Sequence, residues 1–241
     1  MGDLTYCELQ QDLFDYLFPV CLMDWHFTLM RDESCQHEFE FHRAMRNGNI
    51  FQKMMNNDQR QEVFEFFRDS FLERLDSESE SVTSTSVRLK PKWIYRFNSL
   101  GMVMPRIDLI WCPWWEMETL GRAVAALEYL SGLMYLEGDN PLFREQKRAL
   151  PLIFANDSMN FDAGWLEENL DFLKQELTVD FFQSSLSRAV RRLHGHQLEN
   201  IAQQFLDDLP ICRDLVAARI EELPCLLAEA QPDRWTGRFT Y

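Results

Sequence analysis

The reading of the fold turns on residues 86–112: SVRLKPKWIYRF (86–97), NSLG (98–101) and MVMPRIDLIWC (102–112). In the first run Val87, Leu89, Trp93, Tyr95 and Phe97 share one parity, and Arg88, Lys90, Lys92 and Arg96 share the other. A period of two is the pattern of a half-buried strand, whose successive side chains point to opposite faces. The second run also alternates, through Val103, Ile107, Leu109 and Trp111. A four-residue link containing Asn and Gly suits a hairpin turn. The stretch therefore predicts a β-hairpin (86–97 and 102–112) with its aromatic face inward and a cationic face, Arg88, Lys90, Lys92 and Arg96, outward.

Outward from this stretch the chain reads as helical. Asp58 with Gln61 resembles a capping box, and Val63, Phe64, Phe67, Phe71, Leu72 and Leu75 then form a wide apolar stripe, predicting a helix over 58–75. Before it, residues 4–31 predict two helices meeting at Phe18-Pro19, since proline fits a first turn better than a helix interior. A third helix is expected to stop at Asn47-Gly48, and Asn49 to cap a short one through Met55. Beyond the hairpin, small residues on several faces of 116–137 (Gly121, Ala123, Ala125, Ala126, Ser131, Gly132) predict a central buried helix. A short helix is expected from Pro141 to Ala149 and a short strand at Leu152–Ala155. Helices at 162–177, 179–194, 196–208 and 211–229 follow, with Arg188, Arg191, Arg192 and His194 complementing a helix C-terminus ahead of Gly195.

The expected architecture is thus α+β and predominantly α-helical, with about nine helices and the hairpin packed on the central helix. Residues 1–75 form an N-terminal helical region and 76–86 a Ser/Glu-rich loop too polar to pack. Residues 87–241 hold the hairpin and remaining helices, sharing one core with 1–75.

Charge bounds the function. The 241 residues carry a formal net charge of −15, which disfavours nucleic acid and anionic membranes and favours basic partners. Residues 1–80 hold seven Lys/Arg against seventeen Asp/Glu, residues 81–150 nine against seven, and residues 151–241 eight against fifteen. A near-neutral middle lies between two acidic ends, so the cationic hairpin face has acidic helices of its own chain available to cover it. Six scattered cysteines show neither Cys-x-x-Cys nor zinc spacing and read as reduced core thiols of a cytoplasmic protein. No apolar run reaches the roughly 20 residues that cross a bilayer.

Signatures of chemistry are sparse. Walker, Rossmann and Gly-x-Ser-x-Gly patterns are absent, and no cofactor or metal is implied. Glu38 and His42 share a helical face with His37 and Glu40 nearby, but only Asp24 or His26 could complete a metal set. Asp108 on the second expected strand with Glu145-x-Lys147 has the composition of a metal-dependent nuclease, but the tripeptide falls in the helix expected after Pro141 and the overall charge opposes DNA. An enzyme reading would place a pocket at the Asp108–Trp115 corner, lined by Asp108, Trp111, Trp114 and Trp115, with Cys112, Glu116 and Glu118 close in sequence. A nucleic-acid reading would use the cationic hairpin face, although its cations and aromatics point to opposite sides. The reading favoured by charge and missing motifs is a non-enzymatic acidic protein, of inhibitor or immunity type, that binds a basic protein. Its partner-binding carboxylates are expected on two helices: Glu62, Glu65 and Asp69 on one, Glu167, Glu168 and Asp171 on the other.

Overall fold

A computed structural model describes residues 10–32, 45, 50–78, 93–134 and 165–229. These form nine helices in chain order: α1 Gln11–Met30, α2 Ile50–Met54, α3 Asn57–Asp76, α4 Trp93–Val103, α5 Asp108–Trp115, α6 Leu120–Met134, α7 Glu167–Glu176, α8 Val179–Arg192 and α9 Glu199–Glu229. The Ser/Glu-rich stretch beyond Glu78, the helix expected before Asn47 and the elements expected at 141–155 lie outside the described residues.

The described residues contain no strand, and the hairpin is overturned. Residues 86–92 lie outside them, while α4 runs straight through the Asn98–Gly101 link that was expected to turn, and α5 occupies the second expected strand. The physical reason is that two periods coincide in this stretch. Trp93, Phe97, Leu100 and Met104 are four, three and four residues apart and line one helical face as readily as Trp93 and Phe97 share a strand parity. Ile94, Arg96, Asn98, Ser99, Met102 and Val103 are buried as well. A helix with so many buried positions has no clear polar face to reveal its period.

α6 is the central helix, as its small residues imply. It packs against α3, α5, α8 and α9, and α3 in turn packs against α1, α4 and α5. Gly121 explains how close α3 and α6 come: a methyl group there would lie 2.4 Å from the carbonyl oxygens of both Leu75 and Asp76. Asp76 is also gripped from α6, its carboxylate accepting from Arg122 Nη2 at 2.9 Å and from Thr119 Oγ1 at 2.6 Å. One hydrophobic cluster runs from Phe14 to Val216. At its centre Trp114 meets Trp93, Phe97, Trp111, Trp115 and Tyr129 with ring centroids 5.0–5.9 Å apart, mostly edge to face. Such pairs add to the burial of large apolar area.

Several boundaries differ from expectation. α1 continues through Pro19, which was expected to start a second helix, and α9 runs through Pro210, joining the two helices expected at 196–208 and 211–229. Packing of Phe14, Phe18, Trp25 and Leu29 on one side outweighs the missing N–H of Pro19. The capping box of α3 is Asn56 with Gln59, two residues earlier than Asp58 with Gln61: Asn56 Oδ1 accepts from Gln59 N at 2.9 Å and Asn56 N donates to Gln59 Oε1 at 3.0 Å. The arginines ending α8 reach across the fold. Arg188 donates to the carbonyl of Trp115, the last residue of α5, and Arg192 to that of Glu118 in the α5–α6 link. The three cysteines whose burial is described are less buried than expected: Cys112 is exposed, Cys21 and Cys212 half-buried, and all three are free thiols.

Candidate functional site

The sequence nominates three sets of residues, and the structure treats each differently. At the corner where a pocket was expected, the three tryptophans are buried. Trp111, Trp114 and Trp115 are at most 4% exposed and meet Phe97, Tyr129 and Phe181 edge to face, so these rings belong to the core. Asp108 sits on the first turn of α5, where its charge complements the helix N-terminus. It accepts from Arg106 Nε at 2.8 Å and Nη2 at 2.6 Å. That hydrogen-bonded guanidinium holds the Asp108 carboxyl below the usual carboxylate range. A carboxylate so held is a poor proton acceptor near neutral pH. Partial burial, and then the nearby Asp108 charge, push the Cys112 thiol up, the direction opposite to an activated nucleophile. Glu145 and Lys147 lie outside the described residues.

The outward cationic row is contradicted at the one position described. Arg96 is 2% exposed on α4, its Nη1 donating to the Trp25 carbonyl at 3.2 Å and its Nη2 to Thr28 Oγ1 at 3.0 Å. Its guanidinium carbon lies 5.6 Å from the Trp25 ring centroid, within cation–π range. Arg96 therefore pins α4 to α1 and offers nothing to solvent. Arg88, Lys90 and Lys92 lie outside the described residues, as do His37, Glu38, Glu40 and His42. Among the described residues no three His, Cys, Asp or Glu side chains converge as a metal set.

The acidic set is where a surface interaction remains open. On α3, Glu62 and Asp69 are exposed and Glu65 is half-exposed; on α7, Glu167, Glu168 and Asp171 are exposed. Three of the six are engaged locally: Glu65 accepts from Gln61 Nε2 at 2.9 Å, Asp69 from Arg68 Nε at 2.7 Å and Asp171 from Lys174 Nζ at 3.2 Å. Glu167 and Glu168 stand in the first turn of α7, so they also favour that helix end. The opposite sides of both helices are core, through Val63, Phe67 and Phe71 on α3 and Leu173 on α7.

Three polar ties escape local sequence reading. Buried Asn169 joins α7 to the α4–α5 link: its Nδ2 donates to the carbonyls of Gly101 at 2.9 Å and Met104 at 2.7 Å, and its Oδ1 accepts from Ile107 N at 3.1 Å. His26 Nδ1 and buried Ser70 Oγ hydrogen-bond at 3.0 Å between α1 and α3. Glu199 bridges the α8–α9 turn, accepting from His194 Nδ1 at 2.8 Å and from the Gly195 amide at 2.7 Å. The Gly195 amide, then His194, hold its carboxyl below the usual range. Each brings together residues whose partner depends on tertiary packing or turn geometry, a relation that motif spacing does not encode. No described helix is long and apolar enough to cross a membrane. Comparison with known proteins finds no matching family model, no matching curated sequence and no matching solved structure.

Proposed function

We propose that this chain is an acidic interaction protein that engages a basic protein partner in the cytoplasm, most concretely as an inhibitor or immunity-type protein. The observation that carries the reading is the exposure of Glu62, Glu167 and Glu168 on helices whose other sides are core, in a chain of net charge −15. Carboxylates carried on packed helices are held in place before a partner arrives, so binding them orders little more than the side chains themselves. A negative surface of this kind speeds encounter with a basic protein and rejects acidic ones.

The test is comparative affinity capture from the native host. The wild-type chain and an E62K/E167K/E168K variant are immobilised side by side, and retained proteins are identified and eluted by salt. The reading requires one reproducible basic protein on the wild type, released as salt rises, and bound about tenfold or more weakly by the variant. Retention that is equal on both columns, or a wild-type column that stays empty at low salt, removes it.

A further inference from the structure

The outer side of α1 is apolar in a pattern that its own fold leaves unused. Leu13, Tyr16, Val20, Met23 and Phe27 succeed one another at intervals of three, four, three and four residues. They are 47%, 75%, 61%, 45% and 50% exposed. That interval is the seam spacing of helix pairs that interlock side chains. At 3.6 residues per turn it lies on the side opposite Phe14, Phe18, Trp25 and Leu29, which are buried in the core. One helix thus carries two apolar faces, one consumed by folding and one bare.

The platform is fixed. Gln11 Nε2 donates to the Met54 carbonyl at 3.1 Å, His26 bonds Ser70, and Arg96 holds Trp25 and Thr28. The charge bordering the seam has one sign. Asp12, Asp15 and Asp24 are exposed, and no Lys or Arg occurs between Gln11 and Met30. On the helical projection Asp24 flanks one edge of the stripe, and Asp12 and Asp15 flank the other.

We propose that this face is the docking site for an amphipathic helix of a partner protein, one whose apolar stripe is bordered by Lys or Arg. The inference rests on the basic-partner reading above and specifies the shape the partner presents. A second copy of this chain would bring the three aspartates against their equivalents on a body already at −15, where like charges across a helix pair disfavour association. An anionic membrane surface meets the same repulsion, since interfacial helices use cationic borders.

The experiment uses the full chain and three synthetic helical peptides of equal length. The first has Leu at alternating intervals of three and four with Lys on both borders; the second keeps the Lys and replaces each Leu by Gln; the third keeps the Leu and replaces each Lys by Glu. Binding is read by fluorescence anisotropy against the wild type, a V20E/M23E variant and the E62K/E167K/E168K variant. The proposal expects the Leu/Lys peptide to bind at least about tenfold more tightly than either of the others. It also expects a loss of similar size on V20E/M23E, and weakening at about 1 M salt, where screening is nearly complete. Equal binding by the two Lys peptides, unaffected by V20E/M23E but lost on E62K/E167K/E168K, overturns the seam and leaves the basic-partner reading standing. No binding by either Lys peptide overturns the seam and counts against that reading too. Equal binding of the Leu/Lys and Leu/Glu peptides overturns the basic identity of the helix. A wild-type dimer in sedimentation that V20E/M23E converts to monomer assigns the face to a second copy. A fall of several degrees in the melting temperature of V20E/M23E shows that the chain covers the seam itself, and both of these results overturn the proposal.

Discussion

The wall around Trp114 and the outer side of α1 are made from the same classes of residue and end in opposite circumstances. Around Trp114, aromatic side chains from α4, α5 and α6 interlock at centroid separations near 5–6 Å, with Trp93, Phe97 and Trp114 fully buried. On α1, Tyr16 and Val20 are more than half exposed although their neighbours Phe14 and Phe18 are buried. Composition and helical spacing do not distinguish the two sets. What distinguishes them is whether another element arrives: α3, α5, α8 and α9 close over α6, while α1 meets α3 on one side only among the closely packed helix pairs. An apolar stripe in this chain is therefore informative only together with the number of helices that pack on it.

The largest contrast comes from truncating the buried set. Trp114→Ala removes a ring that touches Phe71, Trp93, Phe97, Trp111, Trp115 and Tyr129. Its indole also donates from Nε1 to the Arg122 carbonyl at 3.3 Å. Loss of about 3–5 kcal/mol is expected for a fully buried tryptophan, read as a lower denaturant midpoint with an unchanged slope. A loss below about 1 kcal/mol, the scale of an ordinary surface change, would mean that this wall is not the core.

The same contrast shows how much of the molecule could be read beforehand. Helices with one wet face were legible: α3 starts within a residue or so of expectation because Val63, Phe67 and Phe71 alternate with exposed carboxylates, and α8 ends ahead of Gly195, whose φ of +78° suits glycine. α4 was not legible, because every residue of it whose burial is described is buried, and a stripe needs a polar complement to have a period. Arg96 compounded the error. Its charge implied a surface, yet its guanidinium is satisfied by Trp25 and Thr28, about seventy residues earlier in the chain. At the tryptophan corner, the grip of Arg106 on Asp108 and the packing of the rings are tertiary facts that local spacing does not encode. The acidic residues nominated on α3 and α7 are placed on exposed or half-exposed surface, as the helical pattern required.

A smaller effect, of opposite sign, sharpens the inner half of the comparison. Tyr129 is fully buried beside Trp114 and Trp111, and its hydroxyl has no hydrogen-bond partner among the described residues. Burial alone raises its ionisation well above the ordinary phenol value, so the group stays protonated and carries an unmatched donor. An unsatisfied buried hydroxyl costs about 1–3 kcal/mol. Tyr129→Phe keeps the ring contacts and removes that cost, so stability is expected to rise by about 1 kcal/mol in urea unfolding. A fall of the same size would mean that the hydroxyl is bonded within the core, and the wall would then be a polar network as well as an aromatic one.

The smallest effect on stability is the one that tests the outer half. Val20→Ser replaces a β-branched apolar side chain that is 61% exposed, on the side of α1 away from Phe18 and Trp25. Serine and valine differ little in helix propensity, and little area returns to water that was not already in it. Urea midpoints of the variant and the wild type should therefore agree within about 0.5 kcal/mol. The comparison breaks if Val20→Ser costs as much as a core truncation, because α1 would then have a second covered face. If stability holds while the Leu/Lys peptide binds more weakly, the two faces of α1 are separable. The inward one serves the fold, and the outward one serves a partner. That separation is the physical condition for an apolar surface to persist on an acidic chain without being part of its core.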